Sequence, residues 1–123
     1  MQLRERVRPL GLIAIGGFLG AVLRHAVAVA FPTAFPWGTL VANVGGAFLL
    51  GMLLYEARIV DRLSAETRLI AGTGFCSSFT TYSTFALETS QLSPQLAALN
   101  VGLNYALGFL AVLLGQFVVR WLS

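Results

Sequence analysis

Four apolar runs, each about the length of a membrane crossing, take up most of this chain, and they leave few folds open to it. They lie at 9–31, 37–55, 69–91 and 96–122, each close to the ~20 residues an α-helix needs to span a hydrocarbon core. Of the 123 residues 57% are hydrophobic and 11% charged, with a mean hydropathy of +0.80. A domain this small cannot hide that much apolar surface in its own interior, so lipid has to be its solvent. The expected fold is all-α: one transmembrane domain of four helices over 1–123, with both termini on the same side. Pro9 suits a helix start. The two prolines of FPTAFPWG, the polar EARIVDRLSAETR and Pro94 mark the breaks between runs. The basic opening MQLRERVRPL precedes an apolar run as a signal peptide would, but further apolar runs follow at once.

Charge and chemistry narrow the function. There is no lysine, and the net charge of +3 comes from arginines at the ends of the runs. That is the pattern of topology signals, not of a nucleic-acid surface. Arg4, Arg6, Arg8, Arg58, Arg62, Arg68 and Arg120 fall on the side of the termini and middle connector, and only Arg24 falls towards the other. Such a bias favours one orientation with the termini in the cytoplasm. Cys76 is alone, so it supports neither an intrachain disulfide nor a metal cluster. His25 has no ligand or catalytic partner at a useful spacing and reads as an interfacial residue. Nothing in the chain assembles into an enzyme.

The polar residues inside the runs carry the information, because such groups are costly in lipid and face a partner or water. In GTGFCSSFTTYSTFALE, residues 72–88, eight side chains bear hydroxyls. On a helix, Thr73, Ser77, Thr81, Thr84 and Glu88 form one polar face, and Phe75, Phe79, Tyr82 and Phe85 a neighbouring aromatic stripe. Interhelical bonding is the ordinary role of such hydroxyls, yet this density weakens the helix itself. A break at Ser77–Thr80 is expected. Irregular backbone at membrane depth is tolerated where it is buried in protein or lines a cavity, and its free carbonyls are cation ligands. Asn43 brings amide donors to the second run, and Arg24 either snorkels to the interface or draws anions to a vestibule. Ring edges, hydroxyls, an amide and a guanidinium together suit a small anion. Glu88 opposes this unless it lies off the path or is protonated. Small residues four apart, such as Gly16 and Gly20, Ala47 and Gly51, and Ala111 and Gly115, let helices pack closely and leave room only for a small permeant.

The third run, T-G-F-C-S-S-F-T-T-Y-S-T-F-A-x-E, resembles the signature T-G-F-x-G-G-x-T-T-F-S-T-F-x-x-E of the Fluc (CrcB) fluoride channels. The G-G-x-x-G-x-x-x-R run ending at Arg24, the W-G-T-L-x-x-N run ending at Asn43 and the four-run length match as well, so the resemblance covers nearly the whole chain. It implies a passive, fluoride-selective channel of a prokaryotic cell membrane, built as an antiparallel, dual-topology dimer with two narrow pores. It also implies a structural Na⁺ at the dimer centre, held by the main-chain carbonyls of Ser77 and Thr80. Carried over residue by residue, the pore amide is Asn43, and the pore aromatics are Tyr82 and Phe85. Ser83 and Thr84 belong to the polar track, with Glu88 beyond. Together with Arg24, Phe79 and Asn104, these are the candidate path residues.

The chain departs from that pattern in places. Ser77 and Ser78 replace a glycine pair, Tyr82 replaces a phenylalanine, and Asn104, Gly108 and Val112 stand where many relatives carry Tyr, Ser and Ser. The arginine bias and these substitutions fit one half of a heterodimer with an oppositely inserted paralogue as well as they fit a homodimer. Two rivals remain at this stage. A small proton-coupled multidrug exporter would need a carboxylate in the first run, where only Arg24 is found. A non-conducting subunit would use the hydroxyls for assembly alone.

Overall fold

The computed structural model describes residues 2–31 and 34–123. Pro32 and Thr33 of the FPTAFPWG connector lie outside the described residues, so of its two prolines only Pro36 is placed. The described residues form helices joined by short irregular segments, without strands. Helix α1 spans Gln2–Ala30 and begins well before Pro9, which sits inside it. The Leu, Arg and Glu of residues 3–8 are good helix formers and carry the helix outward past the apolar run. Helix α2 covers Trp37–Tyr55 with Pro36 as its N-cap, and a π-helical turn, Glu56–Val60, continues it. The short α3, Ala65–Arg68, is capped by Ser64, whose Oγ accepts the Thr67 N–H. Helix α6, Pro94–Leu122, starts on a proline behind the Ser93 cap.

The third run is not one helix. It consists of a π-helical stretch, Leu69–Cys76, a single turn α4, Ser77–Phe79, and then α5, Ser83–Ser90. Among the described residues, three helices are long and apolar enough to cross a membrane, Leu3–Ala30, Trp37–Val60 and Pro94–Leu122, with the broken segment between the second and third. The break falls at Thr80–Tyr82, sharing Thr80 with the expected Ser77–Thr80 and lying otherwise beyond it. Ser77 stays helical, with its hydroxyl bonding back to the Thr73 carbonyl, an arrangement a helix accommodates. The chain leaves the helix at Thr80, whose backbone is extended at φ −78° and ψ 157°. The serine pair costs no backbone strain: Ser77 has φ −69°, and Asp61 is the one non-glycine residue with positive φ among those described.

Glycines set how closely the helices approach. A Cβ at Gly16 would lie 2.0 Å from the Ile70 carbonyl oxygen, and one at Gly74 would lie 2.6 Å from that of Ile13. These contacts seam α1 to the π-helical stretch. Gly51 and Gly115 do the same for α2 and α6, at 2.1 Å from the Val112 oxygen and 2.2 Å from the Phe48 oxygen. Most of the outer surface is apolar, including Phe18, Phe109, Leu113 and Phe117, as lipid or a second chain requires.

A polar clasp closes the end of α2. The buried Glu56 accepts the N–H groups of Arg62 and Leu63 at 2.6 and 2.7 Å and the guanidinium of Arg68 at 2.8 and 2.9 Å. Arg68 also reaches Asp61 at 2.8 Å. The hydrogen bonds to Asp61 and then Glu56 hold its guanidinium above its ordinary pKa. Glu56→Ala leaves two backbone donors and half of the Arg68 fork unpaired. It is expected to lower the melting temperature of the detergent-solubilised protein by roughly 5–10 °C. Asp61→Ala, which removes only an exposed partner, should lower it less. Equal melting temperatures for Glu56→Ala and the parent protein would show that the clasp is not stabilising.

Candidate functional site

The break opens where α2 and α6 face it. Thr81 N–H would bond the Ser77 carbonyl in a continuous helix; here it donates instead to Asn43 Oδ1 at 2.8 Å. Thr84 N–H similarly goes to Thr81 Oγ1 at 3.2 Å and not to the Thr80 carbonyl. The carbonyls of Ser77 and Thr80 are thereby left without their helical donors. These are the two carbonyls named above as cation ligands.

Asn43 is the residue that bridges the break. Because Thr81 N–H can only donate, the Asn43 amide is fixed with Oδ1 towards it and Nδ2 towards Asn104, whose Oδ1 accepts at 3.1 Å. One of the two Nδ2 hydrogens is spent on Asn104, and the other has no protein acceptor among the described residues. Asn43, Asn104, Thr80, Thr81, Tyr82, Phe85 and Tyr105 line one cleft of about 250 Å³. Phe85 is buried between two phenols, its centroid 6.0 Å from Tyr82 and 6.4 Å from Tyr105, the latter pair nearly perpendicular at 79°. In that perpendicular pair the positive edge of one ring meets the negative face of the other, the favoured aromatic arrangement. Tyr82 itself is exposed.

A second cleft, of about 190 Å³, shares Thr81 with the first and is lined by Arg24, His25, Ala28, Gly38, Thr39, Thr81 and Thr84. Arg24 thus shares a cavity with Thr84 of the polar track. Glu88 is outside the residues that line either cleft, and Thr39 Oγ1 donates to its Oε1.

The structure therefore brings Asn43, Tyr82, Phe85 and Asn104 to one cleft and Arg24 and Thr84 to its neighbour. It does not bring Phe79, which is buried in a stack on Phe75 with centroids 5.4 Å apart and lies against Gly45. Ser83 is exposed at the start of α5 and lines neither cleft. Sequence reasoning passed over Tyr105, Thr39, Asn100 and Thr89. A usable signal existed for Asn100: it stands one helical turn before Asn104 in an otherwise apolar helix.

Comparison with known proteins adds a family. The profile described as CrcB-like protein, Camphor Resistance (CrcB), matches residues 11–116. A protein of Natronomonas pharaonis called fluoride-specific ion channel FluC 1 is 59% identical over 116 residues, covering 94% of this chain and 98% of its own. A protein of the same name from Haloarcula marismortui is 53% identical over 114 residues, covering 93% and 87%. Fluoride-specific ion channel FluC 2 of Halobacterium salinarum is 50% identical over 119 residues, covering 96% and 91%.

Proposed function

This chain belongs to the CrcB family of multi-pass membrane proteins, and we propose that it is a passive, fluoride-selective channel, not an enzyme, through which cytoplasmic fluoride leaves down its electrochemical gradient. One observation carries this reading: the Asn43 amide, locked by Thr81 N–H, keeps one N–H without a protein acceptor among the described residues and lines a cleft together with Tyr82, Phe85 and Tyr105. A small, strongly hydrated anion gives up water only where fixed donors replace it, and hydrogen bonds to a charge are the strong ones. The Arg24 cleft, which shares Thr81 with the first, gives the path an electropositive mouth, and the Glu88 carboxylate, itself outside both linings, is held by Thr39 of the Arg24 cleft. The path crosses the membrane beside the broken segment, which supplies the fourth crossing.

The chain acts as half of an antiparallel dimer in a prokaryotic cell membrane. Gly102 and Gly108 meet nothing within 4 Å in this chain, and the outer face of α6 is apolar, which suits a partner helix. The diverted donors leave the Ser77 and Thr80 carbonyls, two hard oxygen ligands, able to hold a Na⁺ at the dimer centre. Seven arginines against one support a single orientation with cytoplasmic termini and hence pairing with an oppositely inserted paralogue, although a dual-topology homodimer would present the same residues. Reporter fusions at the C-terminus should give signal on the cytoplasmic side alone; equal signal on both sides points to the homodimer. The function itself is tested in liposomes carrying the protein, alone and with a paralogue. Fluoride should leave down its gradient with chloride inert. Flux that follows an organic cation and needs a proton gradient would overturn the reading in favour of an exporter.

A further inference from the structure

The hydrogen bonds that hold Asn43 continue beyond the cleft and return to it. Asn104, having accepted through Oδ1, turns its Nδ2 to Asn100, donating to the main-chain carbonyl at 2.8 Å and the side-chain oxygen at 3.1 Å. Asn100 Nδ2 donates to Thr89 Oγ1 at 2.8 Å, and that hydroxyl donates to the Phe85 carbonyl at 2.7 Å. The loop leaves the broken segment at Thr81, crosses α2 and α6, and rejoins it at Thr89, one turn beyond the cleft ring Phe85. Backbone groups fix its direction at both ends, a donor at Thr81 and an acceptor at Phe85. Reversing any one amide would set two donors or two acceptors face to face. Asn100 is 1% exposed, so water cannot stand in for a lost partner.

We infer that Asn100, Asn104 and Thr89 are positioning residues for the anion path: they hold the Asn43 amide in one orientation, with its spare N–H in the cleft, and pin α5 and its Phe85 ring to the same frame. This rests on the fluoride reading for its effect on flux, but not for the hydrogen bonds themselves. Among the candidate path residues, Asn104 therefore acts through Asn43, with both of its own N–H groups committed to Asn100. The loop is also why the break sits at Thr81: that is where the frame supplies an acceptor.

The test combines two readouts on Asn104→Leu, which removes the relay while keeping the branched shape of the side chain. Hydrogen exchange of the Thr81 amide in the solubilised protein should quicken about tenfold while that of α5 beyond its first turn does not change. Fluoride flux in liposomes should fall about tenfold, and Asn104→Leu should add no further loss to Asn43→Ser, because both act through one amide. Thr89→Val, isosteric and milder, should move Thr81 in the same direction should the leucine variant fold poorly. Unchanged Thr81 exchange in the folded variants, or losses that multiply in the double variant, would overturn the relay. Parent protein that conducts no fluoride, yet loses Thr81 protection on Asn104→Leu, would overturn the fluoride reading and leave the relay standing.

Discussion

Replacing Asn43 with aspartate should cut fluoride flux by about 100-fold or more in protein that still folds. The carboxylate keeps an acceptor for Thr81 N–H, so the break retains the bond that places it. What it loses is the donor to Asn104 and the spare donor in the cleft. Losing a hydrogen bond to a charged partner costs about 1.5–3 kcal/mol. A carboxylate 4 Å from a passing anion adds repulsion on the order of 4 kcal/mol at an effective dielectric constant near 20. At about 1.4 kcal/mol per factor of ten, either effect gives at least tenfold, and 100-fold is a lower bound for both. The check is initial fluoride efflux per unit of reconstituted protein, and parental flux through Asn43→Asp would remove Asn43 from the path.

The second large effect is expected at Gly115. A Cβ there would stand 2.2 Å from the Phe48 carbonyl oxygen and 2.9 Å from the Met52 nitrogen, both backbone atoms of α2. Neither can step aside like a flexible side chain, so α2 and α6 must part. Overpacking of this kind typically costs 1–3 kcal/mol, and a backbone clash belongs at about the upper end of that range. The same two helices carry Asn43 and Asn104, so even a modest separation breaks their 3.1 Å bond. Gly115→Ala should therefore lower both the melting temperature, by roughly 10 °C, and the flux. Gly11→Ala is the control. Its Cβ meets nothing within 4 Å, and alanine improves helix propensity, so it should leave both unchanged. Equal behaviour of the two variants would show that the α2–α6 seam tolerates separation.

How much of this was legible beforehand depends on which interactions are local. The ends of α2 and α6 follow from apolar run length and from breakers, and both helices begin and end close to where those signals lie, whereas α1 runs outward past Pro9. The existence of a break in the third run was legible too, because hydroxyl density weakens a helix wherever it occurs. Its position was not. The deciding atom is Asn43 Oδ1, 38 residues away in sequence, which takes up the Thr81 N–H. The same tertiary bond explains Phe79. A helical projection puts it on one stripe with Tyr82 and Phe85 only if the helix runs on, and the turn at Thr80–Tyr82 rotates the later pair away from it. Periodicity beyond a break carries no information about the face before it. The pairing of Thr39 with Glu88 likewise spans separate runs, so the sequence could pose the question of that carboxylate but not answer it.

The most direct test of the central claim is the reversal potential of a bilayer carrying the protein under a tenfold fluoride gradient with equal chloride on both sides. A passive fluoride-selective path predicts about 59 mV, the value for one charge per tenfold gradient, unmoved when a pH gradient is imposed. A reversal potential near zero, or one that follows the proton gradient, would contradict it.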